Sequence, residues 1–263
     1  MTARVADGLA DAFAVARRER RQALVAYLMA GYPDLETSAR LARTIIDAGA
    51  DVLELGVPFS DPLADGTTIQ RAGEQALARG TRLADVIAIA RDLRRERAVP
   101  VLLMGYTNPF CRYGLSRLAR DLTAAGVAGV IVPDLPIEEG GELEAAFLGS
   151  PLVQISLVAP TTPDERLARI VPAARGFVYC VSLTGVTGAR TALADDVGAF
   201  VARVRRYASL PVVVGFGISR PEHVRALRGI ADGVVVGSAI VDAAGGGEPE
   251  LGALVRSLRE ACA

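Results

Sequence analysis

Glu54 is the one acidic side chain in the apolar run Val52–Val57, and it alternates with Leu53 and Leu55. Successive residues of a strand face opposite sides, so Glu54 points away from both leucines. A carboxyl carried into an apolar interior keeps its proton above the usual range, because burial penalises the charge. Asp65-Gly66 follows on the next loop, where an aspartate is wetter. Two carboxyls with pKa values pushed apart are what general acid/base catalysis needs. The structural alternatives are a Glu54 paired with Arg or backbone amides and an Asp65 that only shapes an Asp-Gly turn.

A second feature is an anion cup. Gly185-Val-Thr-Gly188, Gly215-Phe216-Gly217-Ile-Ser219 and Gly237-Ser238 each follow an apolar run. Glycine lets backbone amides approach an anion closely, and Ser238 adds a hydroxyl, so the three segments together point to phosphate. The first segment is long enough to serve as a lid. Asp61-Pro62 reads as a turn brace, His223 as a capping or solvated residue, and Cys180 as core.

Composition removes other chemistries. The 29 basic residues are all Arg, which excludes a Schiff-base lysine and a P-loop lysine. One His and three widely spaced Cys cannot make the usual zinc sites. A net charge of −1 gives no footprint for nucleic acid. No apolar run reaches membrane-spanning length, and scattered Cys suit a reducing, cytoplasmic setting.

These residues must be held by something regular. Eight short runs rich in Val, Ile and Leu, mostly apolar on both faces, read as buried parallel strands: Leu24–Met29, Val52–Val57, Val101–Met104, Ala128–Val132, Val153–Val158, Phe177–Val181, Val212–Val214 and Gly233–Val236. Segments of helical period separate them, with start signals at Asp34, Thr161 and Asp195 and exits at Gly49, Gly126 and Gly229. Eight such units predict an α/β fold, a (β/α)8 TIM barrel formed as a single domain over residues 1–263. The widest intervals follow the second and sixth runs and predict inserted loops there. An amphipathic segment at Val5–Arg17 predicts an extra N-terminal helix that plugs the barrel. Glu54, Asp65 and the Gly-rich segments all fall at or beyond strand ends, where barrels carry their sites.

The sequence Leu53-Glu54-Leu-Gly-Val-Pro-Phe-Ser-Asp-Pro-Leu-Ala-Asp65-Gly66, with Ile69-Gln70, resembles the signature of the tryptophan synthase alpha chain family. So do Tyr27-Leu-Met-Ala-Gly31-Tyr32-Pro33, Asn108-Pro109, Val132-Pro-Asp134-Leu-Pro136 and the Gly-rich segments. The resemblance implies aldol cleavage of indole-3-glycerol phosphate to indole and glyceraldehyde 3-phosphate, with no cofactor in this chain. It implies Glu54 as the acid/base, Asp65 as acceptor of the indole N–H, and Tyr179 beside them. Tyr27, Leu103 and Phe216 would line the indole pocket, and Gly188, Gly217, Gly237 and Ser238 would hold phosphate. Thr187 would link the lid to Asp65. Met29 stands where the family usually has Thr, Thr67 replaces a common Pro after Asp-Gly, and Phe177 occupies a position that is Tyr in some members.

The resemblance also implies a pyridoxal-phosphate beta chain as partner, in an αββα heterotetramer. The contact surface would lie around Asp61 and Asn108-Pro109. A stand-alone lyase that releases free indole, and a mainly allosteric binding subunit, are the alternatives.

Overall fold

A computed structural model describes residues 4–181, 190–215 and 217–263, with 4–7 and 190–195 described only as helical backbone. The strands are β1 (Ala23–Met29), β2 (Val52–Gly56), β3 (Val101–Met104), β4 (Gly129–Ile131), β5 (Val153–Val158), β6 (Val178–Val181), β7 (Val212–Gly215) and β8 (Gly233–Val236). Helix α1 (Arg4–Arg18) precedes β1, and α2 (Leu35–Asp47) follows it. Helices α3 (Thr67–Ala78) and α4 (Leu83–Glu96) lie between β2 and β3. After β3 come α5 (Thr107–Tyr113) and α6 (Leu115–Ala125), and after β4 comes α7 (Gly141–Phe147). Helices α8 (Asp164–Ala173), α9 (Arg190–Arg205) and α10 (Pro221–Ala226) follow β5, β6 and β7. Helices α11 (Ser238–Gly245) and α12 (Glu248–Ala261) follow β8.

All eight strands are parallel and pair in chain order, and β8 returns to β1 to close the barrel. This is the TIM barrel that the eight apolar runs predict. Both faces of most strands are buried, which explains runs with little polar alternation, β5 alone being half-buried over most of its length. Outward residues such as Leu24, Leu53, Leu103, Val178 and Val214 pack beneath the helices. Inward residues Val25, Val52, Leu102, Ile155, Phe177 and Val213 fill the barrel.

Helix α1 plugs the N-terminal end, as its amphipathic pattern predicts. Leu9, Phe13 and Ala16 join the interior cluster, and the Phe13 and Phe177 rings stand 5.5 Å apart. Arg21 locks the same end by donating to both oxygens of Asp51 at 2.7 Å, while Asp51 also accepts from the Leu24 amide.

The wide interval after β2 holds more than a loop. Residues 57–66 are irregular, but α3 follows and buries Ala72 and Ala76 against Tyr27 and Met29. The predicted insertion after β6 falls on residues 182–189, outside the described residues.

Among the start signals, Asp34 caps α2 by accepting from the Thr37 amide at 2.8 Å. Thr161 and Asp195 start no helix. Helix α8 begins at Asp164, where Pro163 supplies the extended cap and Asp164 and Glu165 complement the dipole. Helix α9 already runs from Arg190. Gly126 ends α6 in the left-handed region, where glycine is unstrained. Among the described residues no helix is long and apolar enough to cross a membrane.

Candidate active site

Glu54 sits at the centre of β2, in register with Tyr27 on β1 and Leu102 on β3. Its side chain is fully buried, and neither carboxyl oxygen has a hydrogen-bond partner among the described residues. The paired alternative, with Arg or backbone amides, is therefore not what the described structure contains. Burial alone lifts the carboxyl to about 8. At neutral pH it holds its proton, because an unpaired buried carboxylate would be too costly.

Asp65 lies half-buried on the loop between β2 and α3. Burial raises it to about 6, and a hydrogen bond from the Tyr106 hydroxyl works in the opposite direction. At neutral pH Asp65 is mostly ionised. Two carboxyls of ordinary kind thus become an acid and an anion through environment alone.

Tyr106 follows the end of β3, is 3% exposed, and was not singled out by the motifs. Its hydroxyl also accepts from the Ala64 amide at 3.0 Å, and its ring stacks on Phe59 at 5.3 Å. Gln70 adds a bond from its side-chain amide to the Asp65 carbonyl at 2.8 Å. Phe59 is therefore a packing residue of the loop. The available signal for Tyr106 was its place: a hydroxyl at the C-terminal end of a barrel strand.

Tyr27 and Tyr179 complete the constellation. Both phenols are buried and pushed well above their usual range. Burial is the main cause for each, followed by the negative charges of Asp65 and Glu54. Both rings therefore share one mouth with the two carboxyls. Two glycines make room for them. A Cβ at Gly215 would come within 2.8 Å of the Tyr179 ring, and one at Gly56 would overlap the Tyr27 hydroxyl. Gly215, expected in the phosphate cup, is thus already required by the packing of Tyr179.

One expected pocket residue is misplaced. Leu103 faces the helices in the outer layer, fully buried there, so it does not line the mouth. The period of two along β3 turns Leu102 and Met104 inward instead. Met104 packs against both the interior cluster and the Tyr27 cluster. Met29 packs with Ala72 and Ala76, and Phe177 lies beneath Tyr179 with ring centres 6.2 Å apart.

The anion cup is described in part. Gly237 caps α11 and borders the mouth, since a Cβ there would lie 3.7 Å from Ile69 and 3.8 Å from Tyr27. Ser238 opens α11, where the Ile240 amide donates to the Gly237 carbonyl at 2.9 Å and, among the described residues, the Ser238 and Ala239 amides stay free for an anion. Gly217 is left-handed, with φ +56°. Thr187, Gly188 and Phe216 lie outside the described residues. His223 accepts from the Ser219 amide at 3.3 Å, a local brace. Burial pushes the Cys180 thiol up to about 12, so it is an inert core residue. Among the described residues no group of three His, Cys, Asp or Glu could hold a metal ion.

Known proteins agree with this geometry over nearly the whole chain. The family model described as "Tryptophan synthase alpha chain" matches residues 13–260. The tryptophan synthase alpha chain of Roseiflexus castenholzii is 57% identical over 236 residues, covering 89% of this chain and 90% of that protein. That of Chloroflexus aurantiacus is 50% identical over 235 residues, covering 89% and 88%. A solved structure of Mycobacterium tuberculosis tryptophan synthase superposes with a TM-score of 0.91 at 41% identity, covering 97% of each chain. The chain belongs to the tryptophan synthase alpha chain family, lyases that cleave indole-3-glycerol phosphate.

Proposed function

We propose that Glu54, Asp65 and Tyr179 carry this cleavage, which releases indole and D-glyceraldehyde 3-phosphate. The observation that supports it most directly is the buried, unpartnered Glu54 carboxyl at about 8 beside a half-buried Asp65 at about 6. Protonated Glu54 delivers its proton to C3 of the indole ring. Ionised Asp65 accepts a hydrogen bond from the ring N–H and stabilises the positive charge that results. The C–C bond to the glycerol side chain then breaks, and its electron pair restores the aromatic ring. The glycerol hydroxyl on that carbon becomes an aldehyde as its proton passes to the Glu54 carboxylate, which regenerates the acid.

Tyr179, held close to Glu54, positions the glycerol hydroxyls. Tyr106 holds Asp65 and the loop that carries it. Tyr27 and Met104 offer the apolar wall for the indole ring, and the family resemblance adds Phe216 to it. The phosphate sits on Gly217, Gly237, Ser238 and the α11 amides, and the family resemblance adds Gly188 to it and pairs Thr187 with Asp65. This route needs no cofactor in the chain itself, because protons are the only species moved.

The family name implies a beta chain as partner. The αββα stoichiometry, and pyridoxal phosphate on that partner, belong to this proposal. The Asp61 loop supports a partner surface: Leu63 is 93% exposed there, beyond the strand ends. The three unpaired Cys fit a reducing, cytoplasmic setting.

Indole formation with and without a beta chain tests the proposal. Glu54→Gln is expected to retain binding of glyceraldehyde 3-phosphate and lose turnover by about 10²-fold or more. Turnover at the wild-type level in that variant would overturn the role of Glu54. Activity of the isolated chain that a beta chain leaves unchanged would favour the stand-alone lyase.

A further inference from the structure

On the outside of the barrel, away from the Glu54 mouth, α7 and α8 stand apart and leave a groove over β5. Its volume is about 880 Å³, within the range of small-molecule sites. The floor is anomalous. The other seven strands turn apolar side chains outward beneath the helices, for example Leu53, Leu103, Val130, Val178 and Val234. Strand β5 instead turns Gln154 and Ser156 outward, on either side of inward-facing Ile155. Both are half-buried, and neither side chain has a hydrogen bond among the described residues. They lie between apolar walls formed by Phe147 on α7, Ile170 on α8 and Leu152.

Charge adds direction. Arg175, just before β6, closes the end of the groove at the strands' N-terminal side and has no ion pair among the described residues. Arg166 lines the other end but is neutralised by Glu138 at 2.6 Å. Asp134, also at that far end, accepts from the Thr107 amide and hydroxyl. Glu144 on α7 is exposed along the side. Among the described residues, one cation without an ion pair, two groups that can donate and accept, and apolar walls describe a monoanion with a polar middle and an apolar body.

We infer that this groove is a second ligand site, for a small amide-bearing carboxylate such as an acylated amino acid or a dipeptide with an apolar side chain. The carboxylate pairs with Arg175, the amide with Gln154 and Ser156, and the apolar group lies against Phe147, Leu152 and Ile170.

Calorimetric titration of the full chain with benzoylglycine tests it. Saturable binding is expected, weakened about tenfold or more by Arg175→Ala and by Gln154→Leu, with indole formation unchanged in both variants. The wild type is expected to bind neutral benzoylglycinamide about tenfold more weakly, a readout that needs no variant. Absence of saturable benzoylglycine binding by the wild type overturns the inference. So does either variant binding as tightly as the wild type, or equal affinity for the amide.

Discussion

Replacing Glu54 by Gln should change how stability depends on pH as well as activity. The native carboxyl ionises near 8, whereas an exposed glutamate ionises near 4.5. Below about 4.5 both folded and unfolded chains hold the proton, and Glu54 contributes no pH dependence. Between about 4.5 and 8 the unfolded chain releases it while the native chain keeps it, so stability falls by about 1.4 kcal/mol per pH unit. Above 8 both states are ionised and the loss levels off at about 5 kcal/mol.

Glutamine carries no proton to lose. The difference between Glu54→Gln and wild type, measured by urea unfolding, should therefore shift in the variant's favour by about 2.7 kcal/mol from about pH 5.5 to about pH 7.5. Taking the difference cancels every other titrating group. A difference that stays constant across this window would refute the reasoning, because it would mean that Glu54 ionises normally in the fold.

Turnover should follow a bell in pH. It is lost below about 6 as Asp65 takes up its proton and above about 8 as Glu54 releases its own, as read from initial rates of indole formation. Tyr106→Phe removes the hydrogen bond that holds Asp65 down. Its acid limb should move to higher pH and its neutral rate should fall about tenfold or more, a pH–rate profile being the measurement. Gly215→Ala puts a methyl group 2.8 Å from the Tyr179 ring, so it should cost about 1–3 kcal/mol in unfolding free energy and reduce turnover.

Much of this protein was readable in one dimension. Eight mostly apolar runs separated by helical periods imply a closed parallel barrel, because most of these strands must bury both faces. A lone Glu54 among leucines, with Asp65 on the following loop, marks the mouth, since strand ends and their loops are where barrels carry function. The lack of lysine leaves carboxylates, hydroxyls, Arg and the backbone to do the chemistry.

The side each residue faces was less legible. Leu103 and Met104 are adjacent apolar residues, and only the register of β3 decides that the second enters the mouth. Tyr106 belongs to a different unit from Asp65, and the contact between them arises when β2 and β3 are laid side by side. Gly215 read as an anion loop from its neighbours, yet the space it leaves is taken by Tyr179 from the adjacent strand. Local sequence determines which elements form and which groups could do chemistry, because propensity and period are properties of neighbours along the chain. The pKa split between Glu54 and Asp65 is decided only by the closed barrel, because desolvation depends on what surrounds a group in space.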